Sequence, residues 1–573
     1  MLVGSVAELV TIGAVVPFIS LMARPELAAD YLFLQNIFST LGWNDPESLV
    51  LPMSIAFVAI VAMAMGIRLL LIYASNKLVF AIGHDIGVKL YRVILDQPYA
   101  YHISQNTSDV IANVNKVQIL LGAFLRPAME GVTSIILSIA ILTALLLVDA
   151  ATALTAGILF TTIYLIVIGL FRARLKRNSK TIATTQSSRI RAVQEGLGGI
   201  RDVILDGNQP HYTQEFAHPD AQLRNAQATN ALLGQAPKYV VEAIGVGLIV
   251  ALAYTLSLQS GGLVGALPVL AALALGAQRL LPLIQKLYAA WAAYTGNFNV
   301  FEDVLSSLNL PVRSESEASR GEIQFDREIR LEKVHFQYSA EESEVLSNIN
   351  LCITKGSRVG IVGKTGSGKS TLMDILMGLL EPTSGQIQID GKTIDASNRG
   401  KWQQHISHVP QHIYLSDASI AENIALGVPP SAIDTERVRR AARQAQIADF
   451  IETHRQGYET RVGERGIQLS GGQRQRIGIA RSLYKNADVL VFDEASSALD
   501  MKTETAVMNA VGQLDLDLTV FIIAHRVQTL RDCDIILQLE DGRITAQGSY
   551  EKIISNEPQP QMSNLKNDGK QHA

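Results

Sequence analysis

The chain has 573 residues, of which 48% are hydrophobic and 18% charged, and its formal net charge at pH 7 is −4. A chain of this length exceeds what one hydrophobic core organises, so two or more domains are expected. The slightly acidic balance argues against a globally basic, nucleic-acid-binding surface. The widely separated Cys352 and Cys533 provide neither a disulfide framework nor metal-ligand spacing.

Long apolar runs occupy the first half of the chain. They cover about residues 1–23, 49–80, 117–148, 150–172, 236–259 and 263–291. A helix needs roughly 20 apolar residues to cross a bilayer, so these runs predict an all-α transmembrane domain of six helices over residues 1–310. We expect the inner ends of the helices to continue beyond the bilayer. Because the first run starts almost at Met1, we also expect the native chain to begin upstream.

The distribution of basic residues predicts the orientation. Lys and Arg are concentrated between spans 4 and 5, with Lys89 and Arg92 between spans 2 and 3, whereas the opposite loops contain only Arg24. Lys and Arg accumulate on the cytoplasmic side of membranes. Both termini and the second half of the chain are therefore predicted to be cytoplasmic, in a multi-pass protein of the bacterial inner (plasma) membrane.

The second half has the pattern of an α/β protein. Residues 311–321 are polar and predict a linker, residues 322–555 a domain, and residues 556–573 a disordered tail. A strand-like run leads into residues 363–371, GKTGSGKST, and then into an apolar helix. Glycines in such a loop let backbone N–H groups surround phosphate oxygens. The predicted ATP contacts are Gly363, Lys364, Thr365, Gly366, Ser367, Gly368, Lys369, Ser370 and Thr371.

Two carboxylates end a second buried strand, residues 489–494 with the sequence VLVFDE. In phosphoryl transfer, one carboxylate commonly supports Mg²⁺ and another orients the attacking water. We therefore expect Asp493 and the Ser370 hydroxyl to hold Mg²⁺, and Glu494 to polarise the water.

Residues 469–473, LSGGQ, lie between these motifs, and here the sequence resembles the ABC ATPase family over about residues 323–552. The resemblance implies that Tyr338 stacks on adenine, that Gln411 contacts Mg²⁺ and the γ-phosphate, and that His525 contacts the γ-phosphate. It also implies that the signature closes over ATP on the P-loop of a second subunit. Further ATP contacts implied by the resemblance are Ser470, Gly471, Gly472, Gln473 and Asp500 of the D-loop.

Each of these residues has a plainer interpretation when taken alone. A histidine after a strand is commonly structural, Tyr338 fits a strand, Gln411 a loop, and residues 469–473 a helix cap. Their shared order and spacing favour the ATPase interpretation.

A single ATPase domain fused to six spans resembles an ABC exporter half-transporter. The resemblance implies a dimer, and a homodimer is favoured because no ATPase motif is degenerate; a heterodimer is the alternative. It also implies coupling helices near residues 99–109 and 206–216. Importers, whose permease is a separate chain, and soluble ABC proteins, which lack spans, are excluded by the fused arrangement.

The substrate prediction rests on charges within the spans. Arg68, Lys238 and Arg279 lie where a basic belt could bind an anionic headgroup, since ionisable groups in spans are costly. The alternative is that these long side chains reach the inner membrane boundary. Residues 27–41 show helical apolar periodicity, which predicts an external amphipathic helix or a packing element.

Residues 4–23, the segment at 27–41 and residues 276–282 together resemble PglK-type flippases of lipid-linked oligosaccharides. This resemblance implies ATP-driven flipping of a lipid-linked oligosaccharide or glycolipid by alternating access. A multidrug, lipid or peptide exporter of the same architecture is the alternative, although such a cavity is expected to be more apolar.

Overall fold

The computed structural model describes residues 50–148, 150–257, 262–311, 323–339, 341–493, 501–512, 517–523 and 527–554. The predicted first span, the amphipathic segment at 27–41, nearly all of the linker and the tail at 556–573 lie outside the described residues. The chain divides into two compact units. The first comprises Met1–Gln97 and Ser104–Val312, and the second comprises Pro98–Ile103 and Arg313–Ala573.

The first unit is built from helices. They are α1 (Val50–Leu95), α3 (Thr107–Leu120), α4 (Arg126–Val148), α5 (Ala150–Gly198), α6 (Ile200–Leu205), α7 (Gln209–Ser257), α8 (Gly262–Gly296) and α9 (Phe298–Leu308), with the short α2 (Tyr99–Ser104) at the junction. A π-helical turn, Leu121–Leu125, joins α3 to α4. Helices α5 and α7 are each 49 residues long. The expected continuation of the spans as helix is thereby confirmed.

The surface of these helices suits a lipid environment. Among the described residues, Ser54–Leu95 and Thr107–Thr143 are long and apolar enough to cross a bilayer by length and composition, with mean hydropathies of 2.6 and 1.5. Large apolar side chains of α1 are exposed; for example, Leu51 is 70% and Leu69 68% exposed. Water-soluble proteins rarely expose such contiguous apolar surface.

A break in the helix separates α8 from α9 at Gly296 and Asn297, where the backbone groups that lose helical partners are hydrogen-bonded to neighbouring helices. Asn230 of α7 donates to Gly296 O at 3.0 Å and accepts from Asn178 of α5 at 2.8 Å. A Cβ on Gly296 would lie 2.6 Å from the Asn230 amide nitrogen. A larger residue at 296 would therefore displace the Asn230 amide from these hydrogen bonds.

The described residues of the second unit form two sheets. One is antiparallel, in the order β2 (Leu346–Thr354), β1 (Glu328–Phe336), β4 (Ser384–Ile389), β5 (Lys392–Thr393). The other has the order β10 (Arg543–Gly548), β9 (Ile535–Glu540), β3 (Arg358–Val362), β8 (Thr519–Ile523), β7 (Val489–Asp493), β6 (Ile406–Val409). Every pairing in the second sheet is parallel except β10 with β9.

Helices accompany these sheets in the described part of the second unit. They are α10 (Lys369–Leu376), α11 (Arg399–Gln404), α12 (Ile420–Ile424), α13 (Thr435–Gln444), α14 (Ala448–Thr453), α15 (Gly471–Lys485), α16 (Met501–Gly512) and α17 (Tyr550–Ile554). Buried parallel strands read as continuous apolar runs, as the TVFII run of β8 does. A helical first unit followed by an α/β second unit is the predicted fold class, and it is confirmed.

Trp402 anchors the core between the two sheets. Its side chain is 1% exposed, its indole N–H donates to Leu376 O at 2.8 Å, and the Phe325 ring meets it edge-on at 5.7 Å. The indole thus joins α11 to the end of α10, the helix that follows the P-loop.

We predict that Trp402→Phe destabilises the second unit by about 1–3 kcal/mol, because it leaves a void and removes the hydrogen-bond donor of the Leu376 carbonyl. The melting temperature of the purified protein should fall by several degrees. Tyr550→Phe, which changes a half-buried ring of α17, is the matched control and should leave that temperature unchanged. An equal effect of both substitutions would contradict the anchoring role of Trp402.

Candidate functional site

The predicted ATPase residues are brought together by strand direction. Because β3, β8, β7 and β6 are parallel, their carboxyl ends lie at one edge of the sheet. The P-loop follows β3, Gln411 follows β6, and Asp493 ends β7. Ligands of open α/β sheets bind at this edge.

The P-loop backbone has a conformation that requires glycine. Gly368 has φ 97° and forms the N-cap of α10. A Cβ there would lie 2.8 Å from Leu346 Cδ2 and 3.0 Å from Val345 O. At Gly363, a Cβ would lie 2.3 Å from Leu539 O. The loop therefore leads directly into a helix N-terminus, whose free N–H groups and dipole favour phosphate.

Lys369 lies folded over this loop. Its side chain is buried, and Nζ donates to Gly363 O and Lys364 O, each at 2.9 Å. Ser367 Oγ is buried and has no hydrogen-bond partner among the described residues. An ammonium group beside a loop of backbone donors suits a polyanion such as a nucleoside triphosphate.

The hard oxygen donors that Mg²⁺ requires are available beside the loop. Ser370 is exposed in the first turn of α10, and Asp493 lies half-buried at the end of β7. Burial, together with the nearby charge of Asp493, raises the pKa of the Asp374 carboxyl to about 6. Oxygen ligands of this kind, in an acidic setting, fit Mg²⁺.

The signature segment caps helix α15. Ser470 Oγ accepts from the Gln473 N–H at 3.2 Å, and Gln473 Oε1 accepts from the Ser470 N–H at 2.7 Å. This capping box explains why the motif has serine at residue 470 and glutamine at residue 473. The cap interpretation and the phosphate interpretation are compatible, because the capped N-terminus remains exposed at Ser470 and Gly471.

Other predicted ATP-site residues have more varied positions. Tyr338 is 48% exposed, and its hydroxyl lies 3.1 Å from Thr371 Oγ1, next to the P-loop. Gln411 is exposed just after β6. Glu494, Asp500 and His525 lie outside the described residues, so their roles stay predictions. Within the second unit, burial raises the pKa of Tyr99, as do the charges of Asp374 and Tyr338, which places this α2 residue near the ATP site.

A second candidate site lies among the membrane helices. A cavity of about 300 Å³ is lined by residues of α1, α4 and α8, among them Arg68, Arg126, Glu130 and Lys286. Of the predicted basic residues, Arg68 lines it. Lys238 is absent from the described lining and has Nζ 4.0 Å from Glu242 Oε1. Arg279 belongs to α8, but its side chain lies outside the description.

Sequence reasoning missed Arg126 as a cavity residue. It lies at the first position of α4, inside the apolar run 117–148, and an arginine interrupting such a run was the available signal. Glu130, one turn later, accepts from Arg126 Nε at 3.3 Å. Lys286 can be recognised in the sequence as a charged residue within a span, but the residues that lie near it in the structure cannot.

Comparisons with known proteins identify both parts of the chain. The family model for the ABC transporter ATPase matches residues 346–497, and the model for the ABC transporter transmembrane region matches residues 27–276. The chain is 30% identical over 501 residues to an ATP-dependent lipid A-core flippase of Cupriavidus metallidurans, covering 84% of this chain and 82% of that one.

Two further relatives extend over nearly the whole chain. The alpha-hemolysin translocation ATP-binding protein HlyB of Escherichia coli O157:H7 is 30% identical over 564 residues, which is 96% of this chain and 76% of that one. A solved ATP-bound bacterial Atm1-family ABC exporter superposes with a TM-score of 0.77 at 24% identity, covering 96% of each chain. At that identity the superposition establishes the fold alone.

The raised pKa of Asp374 predicts a pH-dependent effect of Asp374→Asn. Since folding favours the protonated form, the contribution of Asp374 to stability is present below its ordinary pKa of 3.8 and is lost as the pH rises through about 6. Asp374→Asn should therefore raise the melting temperature at pH 7.5, and less so at pH 4.5. Melting curves without nucleotide or Mg²⁺ test this, with the exposed Glu452→Gln as control. An equal gain at both pH values would be incompatible with it.

Proposed function

Because this chain belongs to the ABC transporter family, as an exporter with fused transmembrane and ATPase domains, we propose that it flips an anionic amphipathic lipid outward across the bacterial inner membrane. The proposed cargo class is a lipid-linked oligosaccharide or a phosphate-bearing glycolipid. ATP hydrolysis coupled to transport follows from the family; the cargo is the proposal.

The charge of the α1–α4–α8 cavity carries this proposal. Arg68, Arg126 and Lys286 all lie on its described lining, where Glu130 is the partner of Arg126. Ionisable groups among membrane helices are costly and mark substrate pathways. A phosphate or diphosphate suits a site lined by these cations, and arginine binds phosphate in a bidentate manner.

The remaining lining matches the other parts of an amphipathic lipid. Leu71, Val79 and Leu283 offer apolar contacts, while Ser75, Asn76 and Thr133 offer hydrogen bonds. The volume of about 300 Å³ suits a headgroup, so the lipid chain would extend beyond the cavity. An exporter of neutral drugs has no need of three cations at one point.

The relatives support a lipid cargo to different degrees. The lipid A-core flippase of Cupriavidus metallidurans aligns over most of both chains and moves a lipid. The similarity to HlyB, named for alpha-hemolysin translocation, favours a toxin exporter as the alternative. A transport assay separates these two.

The proposed mechanism requires a dimer, because a half-transporter has one ATPase domain. We propose a homodimer in which Ser470, Gly471, Gly472 and Gln473 of one subunit close over ATP held by the P-loop of the other. ATP then favours the closed dimer and ADP does not, so binding and hydrolysis alternate the access of the cavity. The ATPase domains and both termini are proposed to be cytoplasmic.

Within each ATP site, the proposed roles are those that the resemblance to ABC ATPases implies. Residues 363–371 hold the phosphates, Tyr338 stacks on the adenine, and Glu494 orients water, with His525, Gln411 and Asp500 beside the γ-phosphate. Ser370, Asp493 and Gln411 would hold Mg²⁺, which neutralises charge on the phosphates when it is bound.

Glu494→Gln tests the ATP-driven step. We predict that the variant binds ATP but loses hydrolysis by at least about 100-fold, since it lacks the group that polarises water. In proteoliposomes, the wild type should flip a polyprenyl-diphosphate oligosaccharide with ATP, and Glu494→Gln should not. Turnover of the variant close to that of the wild type would remove Glu494 from its proposed role.

Arg126→Gln and Lys286→Gln test the cavity. Each removes one charge-assisted contact, so the apparent affinity for the diphosphate lipid should fall by about 10- to 100-fold. Lys77→Gln is the matched control, because Lys77 lies on α1 outside the described lining and its Nζ lies 5.8 Å from the Tyr73 ring.

Basal ATPase activity should be retained in all three variants. If ATP is hydrolysed but no diphosphate lipid is flipped even by the wild type, the lipid proposal falls. Transport of a toxin polypeptide by the same vesicles would then support the alternative.

A further inference from the structure

The transmembrane helix that carries Arg126 changes its hydrogen-bonding register just before that residue. The Arg126 N–H donates to Leu121 O, five residues back, and the five residues Leu121–Leu125 form a π-helical turn. An α-helix would instead pair Arg126 with Gly122. The π turn thus contains one residue more than an α-helix needs, and such turns are frequent at functional sites.

The sequence explains why the turn forms here. Residue 127 is proline, which has no N–H to donate to Ala123 O and whose ring disturbs the preceding turn. Both the π and the α arrangement lack that hydrogen bond, so the cost of exchanging one for the other is reduced.

The register decides which side chains of α4 line the cavity. Arg126, Met129, Glu130, Thr133, Ser134 and Leu137 do so in the structure, and their spacing defines one helix face. Each residue of an α-helix turns the chain by about 100°. If the π turn became α-helical, the face would shift by one residue, to Leu125, Ala128, Met129, Val132, Thr133 and Ile136. Arg126 would leave the cavity, and this wall would become almost wholly apolar.

The turn is held by three helices. Leu121 is buried beside Gly83 of α1. A Cβ added to Gly83 would lie 2.4 Å from Leu121 Cδ1. Phe124 stacks on Phe301 of α9, with ring centroids 4.7 Å apart and planes 5° apart, and lies 5.1 Å from the Tyr294 ring of α8.

Helix α9 also holds α3 on the other side of the turn. Lys116 Nζ lies 2.6 Å from Asp303 Oδ2, and the Lys116 side chain is 5% exposed. Asn113 donates to Ser307 Oγ at 3.3 Å. Asp303 is 39% exposed, but removing it would take this carboxylate from the buried Lys116 ammonium, which is costly. Helix α9, after which the chain continues into the ATPase domain, therefore contacts the segments on which the register depends.

We propose that the π turn is a register switch that positions Arg126: in the π register it faces the cavity, and in the α register it turns away. The proposal rests on the proposed function, because it supplies the step that releases an anionic headgroup. Phe124 is a positioning residue, and motion of α9 during the ATP cycle drives the exchange.

Cysteine reactivity tests the switch without any lipid. In a chain with Cys352→Ser and Cys533→Ser, single substitutions Leu137→Cys and Ile136→Cys report the two faces. A charged methanethiosulfonate reagent should react with Leu137→Cys at least 5-fold more slowly after trapping with ATP and vanadate. It should react with Ile136→Cys at least 5-fold faster. Rates that change together, or not at all, would overturn the proposal.

Deletion of Gly122 removes the extra residue of the π turn. With α-helical hydrogen bonds throughout, the residues before and after the deletion would keep the helix faces that they have in the structure. We expect this variant to bind the diphosphate lipid within 3-fold of wild type, to retain basal ATPase activity, and to lose at least 90% of flipping. The reactivity change at Leu137→Cys and Ile136→Cys should disappear. Flipping within 2-fold of wild type would contradict the switch.

Gly122→Ala is the matched control, since a Cβ there meets nothing within 4 Å and the residue count is unchanged. It should transport normally. If the deletion variant fails to fold, Phe124→Leu in the cysteine reporters replaces it and should reduce the reactivity change by at least half; an undiminished change would count against the switch. A preserved reactivity change without any lipid binding would refute the proposed cargo and leave the switch standing.

Discussion

The chemistry of the second unit depends on the parallel pairing of β3, β8, β7 and β6. Parallel strands bring all their carboxyl ends to one edge, so residues far apart in the chain follow neighbouring strands. Glycines then let the P-loop wrap into the N-terminus of α10, with Lys369 across it. At this edge burial, together with the charge of Asp493, raises the pKa of Asp374. A polyanion with its metal ion is the ligand that such an edge suits.

An analogous problem of charge arises among the membrane helices. Arg68, Arg126 and Lys286 come from three helices and meet in one cavity with Glu130. Ionisable groups among membrane helices are costly and commonly mark substrate pathways. The proposed phosphate-bearing lipid would place its phosphate beside these cations and its other parts against the apolar and hydroxyl groups of the wall. The π turn before Arg126 adds a means of withdrawing one of the cations, which a transporter needs in order to release what it binds.

The sequence predicted the fold class and the ATPase family because each rests on local patterns: apolar runs, strand–loop–helix punctuation and short motifs. Those patterns also predicted helices that extend beyond the apolar runs. The composition of the cavity was less accessible. Arg126 sits within an apolar run, and Lys238, although charged, lies beside Glu242 and outside the described lining. Which charges meet depends on helix rotation, and here an extra residue in Leu121–Leu125 sets that rotation.

The central claim is that ATP sites shared between two subunits drive the flipping, and mixed dimers test it most directly. One subunit carries Lys369→Ala and the other Ser470→Arg, and dimers containing both are isolated through two different affinity tags. If each site takes its P-loop from one subunit and its signature from the other, a mixed dimer keeps one intact site. The account predicts that it hydrolyses ATP and flips the diphosphate lipid well above either variant alone. A mixed dimer as inactive as the two single variants would contradict it.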